Sequence, residues 1–165
     1  MNAFVIDAFE FCRVKERRDG EIELSKLPRL VEESVDKVGV IRWSLQGGSD
    51  NHGHPKMVLS IDGAISLLCQ RCLTPFVFDI DSESTLVLAR DEASADEMDV
   101  LLADEDVEVI VGEREFNIAA LIEDEALLAI PVSPKHEACP TGLMPESGAR
   151  EEKVSPFAVL KNLKQ

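Results

Sequence analysis

The sequence predicts one α+β domain with an antiparallel sheet of about five to seven strands, strongly curved or barrel-like, and short helices at the sheet's ends. Two observations predict this class. Apolar and polar residues alternate over several segments, most regularly from Met57 to Cys69, which is the period of a half-buried strand. Glycine, proline, asparagine and aspartate separate these segments. A chain of 165 residues can bury a core of this kind without disulfides.

The N-terminal third is predicted to contain two short helices and two strands. Apolar residues at loosely helical spacing indicate a first helix that ends at the Asp19-Gly20 pair. Alternation over residues 21–25 indicates a short edge strand. A second helix over residues 28–34 begins with proline, which the first helical turn tolerates. Residues 37–46 then favour a strand, with apolar side chains on one face.

The middle of the chain is predicted to form hairpins. Residues 47–55, "GGSDNHGHP", are rich in turn formers and predict a loop in which His52 and His54 are exposed and bind no metal. The strand over residues 57–69 is expected to carry a bulge or tight turn at the Asp62-Gly63 pair. Residues 76–88, where the apolar face moves to even positions, predict another strand or hairpin.

The last part of the domain is predicted to be a long acidic loop, a strand pair and one helix. Residues 91–106 have no consistent period and predict a loop with at most one turn of helix. Residues 107–116 read as the final strand pair. Asn117 can cap a helix that Pro131 ends, with an apolar stripe that includes Leu128. Glu125 lies on that stripe and is expected to be a structural anchor whose carboxylate finds a hydrogen-bond donor.

The domain is expected to span residues 1–140, and residues 141–165 are expected to form a flexible tail. The tail closes with "SPFAVLKNLKQ", in which apolar residues recur at helical spacing beside lysines. So short an amphipathic piece is marginal alone and is expected to dock on its own domain or on a partner. Phe157 and Leu160 are therefore candidate partner-binding residues.

The formal net charge of −15 is unevenly distributed along the chain. Fourteen acidic residues and one arginine lie between Asp91 and Glu125, which gives this acidic segment −13. Such a surface should repel nucleic acid, whose phosphates bind cationic proteins. Two interpretations stay open with similar weight: a solvated face that aids solubility, or a site for a basic partner. Under the second, the candidate partner-binding residues are Asp104, Glu105, Asp106 and Glu108.

The N-terminal sequence and the cysteine content predict a cytoplasmic protein. The first eighteen residues are broken by charges and lack the apolar core of a secretory signal. Four cysteines are few for a disulfide scaffold, so the thiols are expected to be reduced. No apolar run is long enough to cross a bilayer.

The four residues Cys69, Cys72, His136 and Cys139 form a chemically sensible ligand set for structural zinc. The gap of 64 residues between the two pairs is longer than compact zinc ribbons use, so reduced thiols without metal are the favoured alternative. A redox pair is disfavoured because Pro75 leads into a strand and not a helix, although Arg71 would favour thiolate. The chain carries no glycine-rich nucleotide loop and no His-Glu-x-x-His motif.

Three segments in order, "CQRCLTPF", "IEDEALLAIPVSPKHEAC" and "PFAVLKNLK", resemble the bacterial YceD family, the large ribosomal RNA subunit accumulation proteins. The resemblance covers most of the chain. The matched positions are Cys69, Arg71, Cys72, Pro75, Glu123, Asp124, Glu125, Leu128, Pro131, Pro134, His136, Cys139, Pro156, Phe157, Ala158, Leu160 and Leu163. Some relatives carry a richer second cysteine cluster where this chain has only His136 and Cys139, a departure that bears on zinc binding.

The resemblance implies a non-enzymatic factor needed for accumulation of large-subunit ribosomal RNA and for large-subunit biogenesis. Combined with the acidic segment, it indicates a ribosomal protein or assembly factor as the partner, with direct RNA contact left open and neither a membrane nor a small-molecule substrate. Pro75 and Pro131 are expected to be structural. Two alternatives remain: a zinc- or thiol-dependent enzyme using Cys69 and Cys72, or an acidic nucleic-acid-mimicking regulator.

Overall fold

A computed structural model describes residues 3–140. These residues form a five-stranded mixed sheet, a two-stranded sheet and four short helices. The strands are β1 (Val5–Ile6), β2 (Arg17–Glu23), β3 (Val40–Ser49), β4 (Pro55–Leu68), β5 (Pro75–Ala89), β6 (Glu108–Val111) and β7 (Phe116–Asn117). The helices are α1 (Ala8–Arg13), α2 (Pro28–Glu33), α3 (Glu92–Leu101) and α4 (Ile118–Ala129).

The larger sheet has the strand order β2-β3-β4-β5-β6, and β1 pairs with β7 in the smaller one. The first four strands of the larger sheet form an antiparallel meander, whereas β6 runs parallel to β5. The chain reaches β6 through α3, and a connection of this length allows a parallel neighbour. The α+β class and single domain are confirmed, but the sheet is mixed and open where an antiparallel, barrel-like sheet was expected.

One face of the larger sheet supplies most of the core. Its buried side chains alternate along β3 and β4 as the sequence predicts, and α1 and α4 pack against the sheet. At the end of β5, residues 86–89 are all buried. The opposite face carries polar and charged side chains such as Arg42 and Asp62, which form an ion pair across β3 and β4. Except at the end of β5, where both faces are buried, the sheet therefore has one apolar and one polar face, which antiparallel sheets tolerate.

Two Asp-Gly pairs that were expected to interrupt or end a secondary-structure element lie inside strands. At the Asp62-Gly63 pair β4 continues without a bulge or turn, and Gly63 faces Ile41 in the pairing with β3. A side chain at Gly63 would place its Cβ 2.8 Å from the Val40 carbonyl oxygen, so the glycine allows close packing of the strands. The Asp19-Gly20 pair likewise lies within β2 and does not end a helix.

The acidic segment after β5 differs most from the prediction. Residues 92–101 form α3 where a loop was expected, and the Asp91 carboxylate accepts a hydrogen bond from the Ser94 backbone amide at its N-terminus. Ala95 is the only residue of α3 that is buried, so the helix leaves almost no apolar period in the sequence. The expected pairing of β6 with β7 is also wrong, because these strands belong to different sheets.

Helix α4 begins and ends as the sequence predicts. The Asn117 side chain accepts hydrogen bonds from the amides of Ala119 and Ala120, and Pro131 follows the helix. Leu128, expected on the buried stripe, is 77% exposed. Within residues 3–140, no helix has the length and apolar character needed to span a membrane.

Candidate metal centre and acidic groove

The turn between β4 and β5 orients the first two candidate ligands. The Cys69 amide donates to the Thr74 carbonyl oxygen at 2.9 Å, and the Leu73 amide donates to the Cys69 carbonyl oxygen at 2.9 Å. Leu73 has a φ of 58°, a left-handed conformation that a leucine rarely adopts. These contacts close a compact turn, and Pro75 starts β5 immediately after it.

The segment after α4 brings the second pair of ligands onto this turn. The Gln70 amide donates to the Pro134 carbonyl oxygen at 2.8 Å, which ties the two segments together. The His136 ring lies against Phe76, with ring centroids 4.9 Å apart. Backbone pairing and ring packing therefore bridge the gap of 64 residues that made the spacing ambiguous in the sequence.

The ligand atoms of Cys69, Cys72, His136 and Cys139 all lie within 4.8 Å of one another. The sulfurs of Cys69 and Cys139 are 3.9 Å apart, and Cys72 Sγ is 3.3 Å from His136 Nδ1. Zinc bonds to thiolates of about 2.3 Å in a tetrahedron place two sulfurs about 3.8 Å apart. A disulfide needs sulfurs about 2.05 Å apart. The arrangement of these four residues, which we call the Cys/His cluster, therefore fits a tetrahedral ion better than a disulfide.

The surroundings of the Cys/His cluster favour the thiolate form at Cys69 and disfavour it at Cys139. Arg71 donates from Nε to Cys139 Sγ at 3.0 Å and from its terminal nitrogen to the His136 carbonyl oxygen at 2.9 Å. Burial acts to raise the pKa of Cys69, but the amides of Cys72, His136 and Arg71 outweigh it and lower that pKa to about 5. Burial raises the pKa of Cys139, against the opposing effect of Arg71. Arg71 is thus placed to hold Cys139 and the backbone of His136 together.

A second candidate site is a groove between β6 and α4, with a cavity volume of about 340 Å³. Apolar side chains from both elements and from the strands beside them contribute to its wall, and carboxylates stand among them. The apolar residues are Leu86, Ile110, Val111, Phe116, Ala120, Leu121 and Leu128, and the acidic residues are Glu108, Glu113, Asp124 and Glu125. We call this feature the acidic groove.

The predicted partner-binding residues do not all lie at one site. Glu108 lines the acidic groove, whereas Asp104, Glu105 and Asp106 lie exposed between α3 and β6 and do not line it. The Glu105 carboxylate is 3.2 Å from His52 Nε2. The remaining candidates, Phe157 and Leu160, lie outside the described residues.

Two glutamates on α4 have different environments. Glu125, the expected anchor, is half-buried, accepts a hydrogen bond from the Ser82 hydroxyl and lines the acidic groove. Glu123 is 5% exposed and was not predicted as an anchor. Its carboxylate accepts from the backbone amides of Arg29 and Leu30, at 2.6 and 3.1 Å, and from Arg29 Nε at 3.0 Å.

Glu123 supplies the N-terminal cap that α2 lacks in its own sequence. The residue at the cap position of α2, Leu27, has no side-chain acceptor, so the first amides of this helix need an acceptor from elsewhere. This uncapped start is the local sequence feature that indicates a need for an acceptor from elsewhere in the chain.

Comparison with known proteins places the chain in a family. The model of the family described as "Large ribosomal RNA subunit accumulation protein YceD" matches residues 57–164, more than half of the chain. The chain belongs to the YceD family. The matched region includes the Cys/His cluster and β6 and α4 of the acidic groove.

A curated relative agrees with this assignment. The "Large ribosomal RNA subunit accumulation protein YceD" of Haemophilus influenzae is 30% identical over 155 residues, which cover 88% of this chain and 86% of the relative. No solved structure matches the chain.

Proposed function

We propose that this YceD-family protein is a cytoplasmic, non-enzymatic factor that supports accumulation or processing of large-subunit ribosomal RNA and biogenesis of the large ribosomal subunit. The observation that carries this proposal is the family match over residues 57–164. The Haemophilus relative, whose name refers to the same RNA, supports it over most of the chain. The negative net charge of this chain supports action through proteins, because an acidic surface repels RNA and attracts basic ribosomal proteins or assembly factors.

The Cys/His cluster is proposed to hold structural zinc. Three thiolates and one imidazole form a complete four-ligand set, which leaves no position open for a reacting water. Zinc held there would supply a cross-link between the β4–β5 turn and the segment that follows α4. Arg71 donates to this shell from outside it.

Partner binding is proposed to involve Asp104, Glu105, Asp106 and Glu108, with Phe157 and Leu160 as candidates from the C-terminal segment. The four acidic residues are exposed and belong to the acidic segment between Asp91 and Glu125. Association with a basic protein through such residues would be fast and sensitive to salt.

A thiol-dependent enzyme is the second candidate, and the lowered pKa of Cys69 is the observation that favours it. The Cys69 side chain is fully buried, however, and faces the other members of the Cys/His cluster, so a substrate has no direct access to its sulfur. Rapid alkylation of Cys69 in the native, zinc-loaded protein near neutral pH would support the enzyme. Slow alkylation would support the structural assignment.

The proposed function is tested in a strain from which the gene has been deleted. Mature and precursor large-subunit RNA are measured, with small-subunit RNA as the internal control. The proposal expects a lower ratio of mature large-subunit to small-subunit RNA, and restoration of that ratio by the wild-type gene. An unchanged ratio in the deletion strain would contradict the proposal.

A further inference from the structure

The outer edge of β6 is unpaired among residues 3–140. This strand is the last of the larger sheet and pairs only with β5 within residues 3–140. The Gly112 amide donates toward β5, to the Ala89 carbonyl oxygen at 2.9 Å. Amides of successive residues in a strand point to opposite edges, so the amides of Val109 and Val111 point away from β5. Among the described residues neither amide has a backbone acceptor, which makes this edge a template for another strand.

The acidic groove lies beside this edge and offers apolar contacts. Ile110 and Phe116 line it from the sheets, and Leu121 and Leu128 line it from α4. Leu128 is 77% exposed although it lies on an otherwise well-packed helix. A strand added to β6 would direct every second side chain toward one face of the sheet, and apolar side chains there could occupy the groove.

The carboxylates of the groove set the charge of its occupant. Glu108 and Glu113 have no cation within ion-pair distance among residues 3–140, whereas Arg29 pairs with Asp124 at 2.7 Å. Glu125 accepts a hydrogen bond from Ser82 and has no cationic partner in the same part of the chain. Three carboxylates thus remain without a counter-charge around an apolar surface, so cationic side chains are complementary and phosphate is not.

We propose that the acidic groove binds an extended segment of a partner protein, added as a strand to the outer edge of β6, whose groove-facing positions, every second residue, include both apolar residues and lysine or arginine. On that face the apolar side chains would contact Leu121 and Leu128. The cationic ones would lie beside Glu113 and Glu108, which shares the groove face with its register partner Leu86. The assignment of this segment to a ribosomal protein or assembly factor rests on the proposed function. The binding chemistry rests on the groove alone.

The proposal is tested by titrating isotope-labelled full-length protein with a synthetic peptide of about ten residues in which every second position is leucine or lysine in turn and the positions between them are threonine. A second peptide carries glutamate at each lysine position. The lysine peptide is expected to bind with a dissociation constant below about 1 mM and the glutamate peptide not to bind. Amide shifts should concentrate at Glu108–Val111 and along α4, and exchange of the Val109 and Val111 amides should slow about tenfold or more.

Charge-matched variants separate the groove from general acidity. The double variant Glu108→Lys/Glu113→Lys is expected to weaken the lysine peptide about tenfold, and Glu97→Lys/Asp99→Lys on exposed α3 less than about twofold. Equal weakening by both, shifts outside the groove, or no binding would overturn the proposal. Val109 and Val111 amides already protected in the free protein would also overturn it. Protection that is independent of concentration would indicate the C-terminal segment of the chain, and protection that grows with concentration would indicate a second copy.

Failure of the groove and failure of the proposed function are distinguishable. If the deletion strain loses large-subunit RNA but the peptide does not bind the groove, only the groove assignment falls. If the RNA ratio is unchanged on deletion, the proposed function falls whatever the peptide does.

Discussion

The Cys/His cluster and the acidic groove differ in how their polar groups are paired. In the cluster, Arg71 faces Cys139, the Cys72 sulfur lies 3.0 Å from the Thr74 hydroxyl, and both pairs of ligands come from the same chain. In the groove, Glu108 and Glu113 face no cation among the described residues, and the neighbouring strand edge is unpaired. The polar groups of the cluster are thus paired within residues 3–140, whereas carboxylates of the groove are not, and this difference is the basis for proposing a structural role for the first and partner binding for the second.

The largest expected effect is loss of metal from the cluster. Purified wild-type protein should contain about one zinc per chain, and Cys69→Ser and Cys139→Ser should each lose it, because structural zinc needs all four ligands. The same variants should lower the free energy of unfolding by about 3 kcal/mol or more, since metal binding and folding are coupled. Metal analysis of the reduced protein and denaturant titration measure the two effects.

Cys12→Ala is the matched control for these variants. Cys12 is buried, donates from its thiol to the Lys56 carbonyl oxygen and lies outside the cluster. The Cys12→Ala variant should therefore bind as much zinc as the wild type. Equal metal contents in Cys12→Ala and Cys69→Ser would show that the cluster is not a metal site.

The second prediction compares the two glutamates of α4. Glu123→Gln should cost about 2 kcal/mol of unfolding free energy, because a buried carboxylate that accepts from two amides and a guanidinium is replaced by a neutral amide. Glu125→Gln at the groove should cost less than about 0.5 kcal/mol. Denaturant titration of both variants gives the comparison, and similar costs would mean that the groove side of α4 also serves the fold.

The third prediction concerns the arginine beside the cluster. Arg71→Ala should keep zinc but bind it about tenfold more weakly, because a group that donates to a ligand sulfur tunes and orients that ligand. Lys135→Ala, an exposed cation in the segment that carries His136, should bind zinc as the wild type does. Competition with a zinc chelator measures both affinities. Full wild-type affinity in Arg71→Ala would contradict the role given to this side chain.

The smallest expected effect is at the exposed apolar wall of the groove. Leu128→Lys should change the free energy of unfolding by no more than about 0.5 kcal/mol, as should Val132→Lys, because both side chains are exposed. Thermal or denaturant unfolding of the two variants and the wild type measures this change. A loss above about 1.5 kcal/mol in Leu128→Lys alone would assign Leu128 to the core and remove it from the binding surface.

Much of the fold followed from local patterns. The alternation over residues 57–69 matches β4, because successive side chains of a strand point to opposite faces of the sheet. The two ends of α4 were also predictable, because the Asn117 side chain caps its start and Pro131 follows its end. Helix α3 was missed because only Ala95 is buried, and β6 was misplaced because a parallel partner is a long-range choice. A bulge or tight turn was expected at the Asp62-Gly63 pair. Gly63 instead allows close approach of two strands, a role that no pattern in the neighbouring residues indicates.

In the candidate sites, too, local features were predictable from the sequence and long-range contacts were not. The four ligands were predictable from their chemistry, but whether they met depended on the Gln70–Pro134 backbone contact, which no side-chain pattern encodes. Glu123 was missed because its partners, the amides of Arg29 and Leu30, lie more than ninety residues away in the chain. Long-range contacts between backbone and side chain are the part of this structure that periodicity does not report.

The most direct test of the central claim is complementation of the deletion strain. Wild type, Glu108→Lys/Glu113→Lys and Glu97→Lys/Asp99→Lys are expressed at equal levels, and the ratio of mature large-subunit to small-subunit RNA is measured. The groove variant is expected to leave the ratio near the deletion value, while wild type and the α3 variant restore it. Full restoration by the groove variant would contradict the claim that the acidic groove is the working surface of this YceD-family protein.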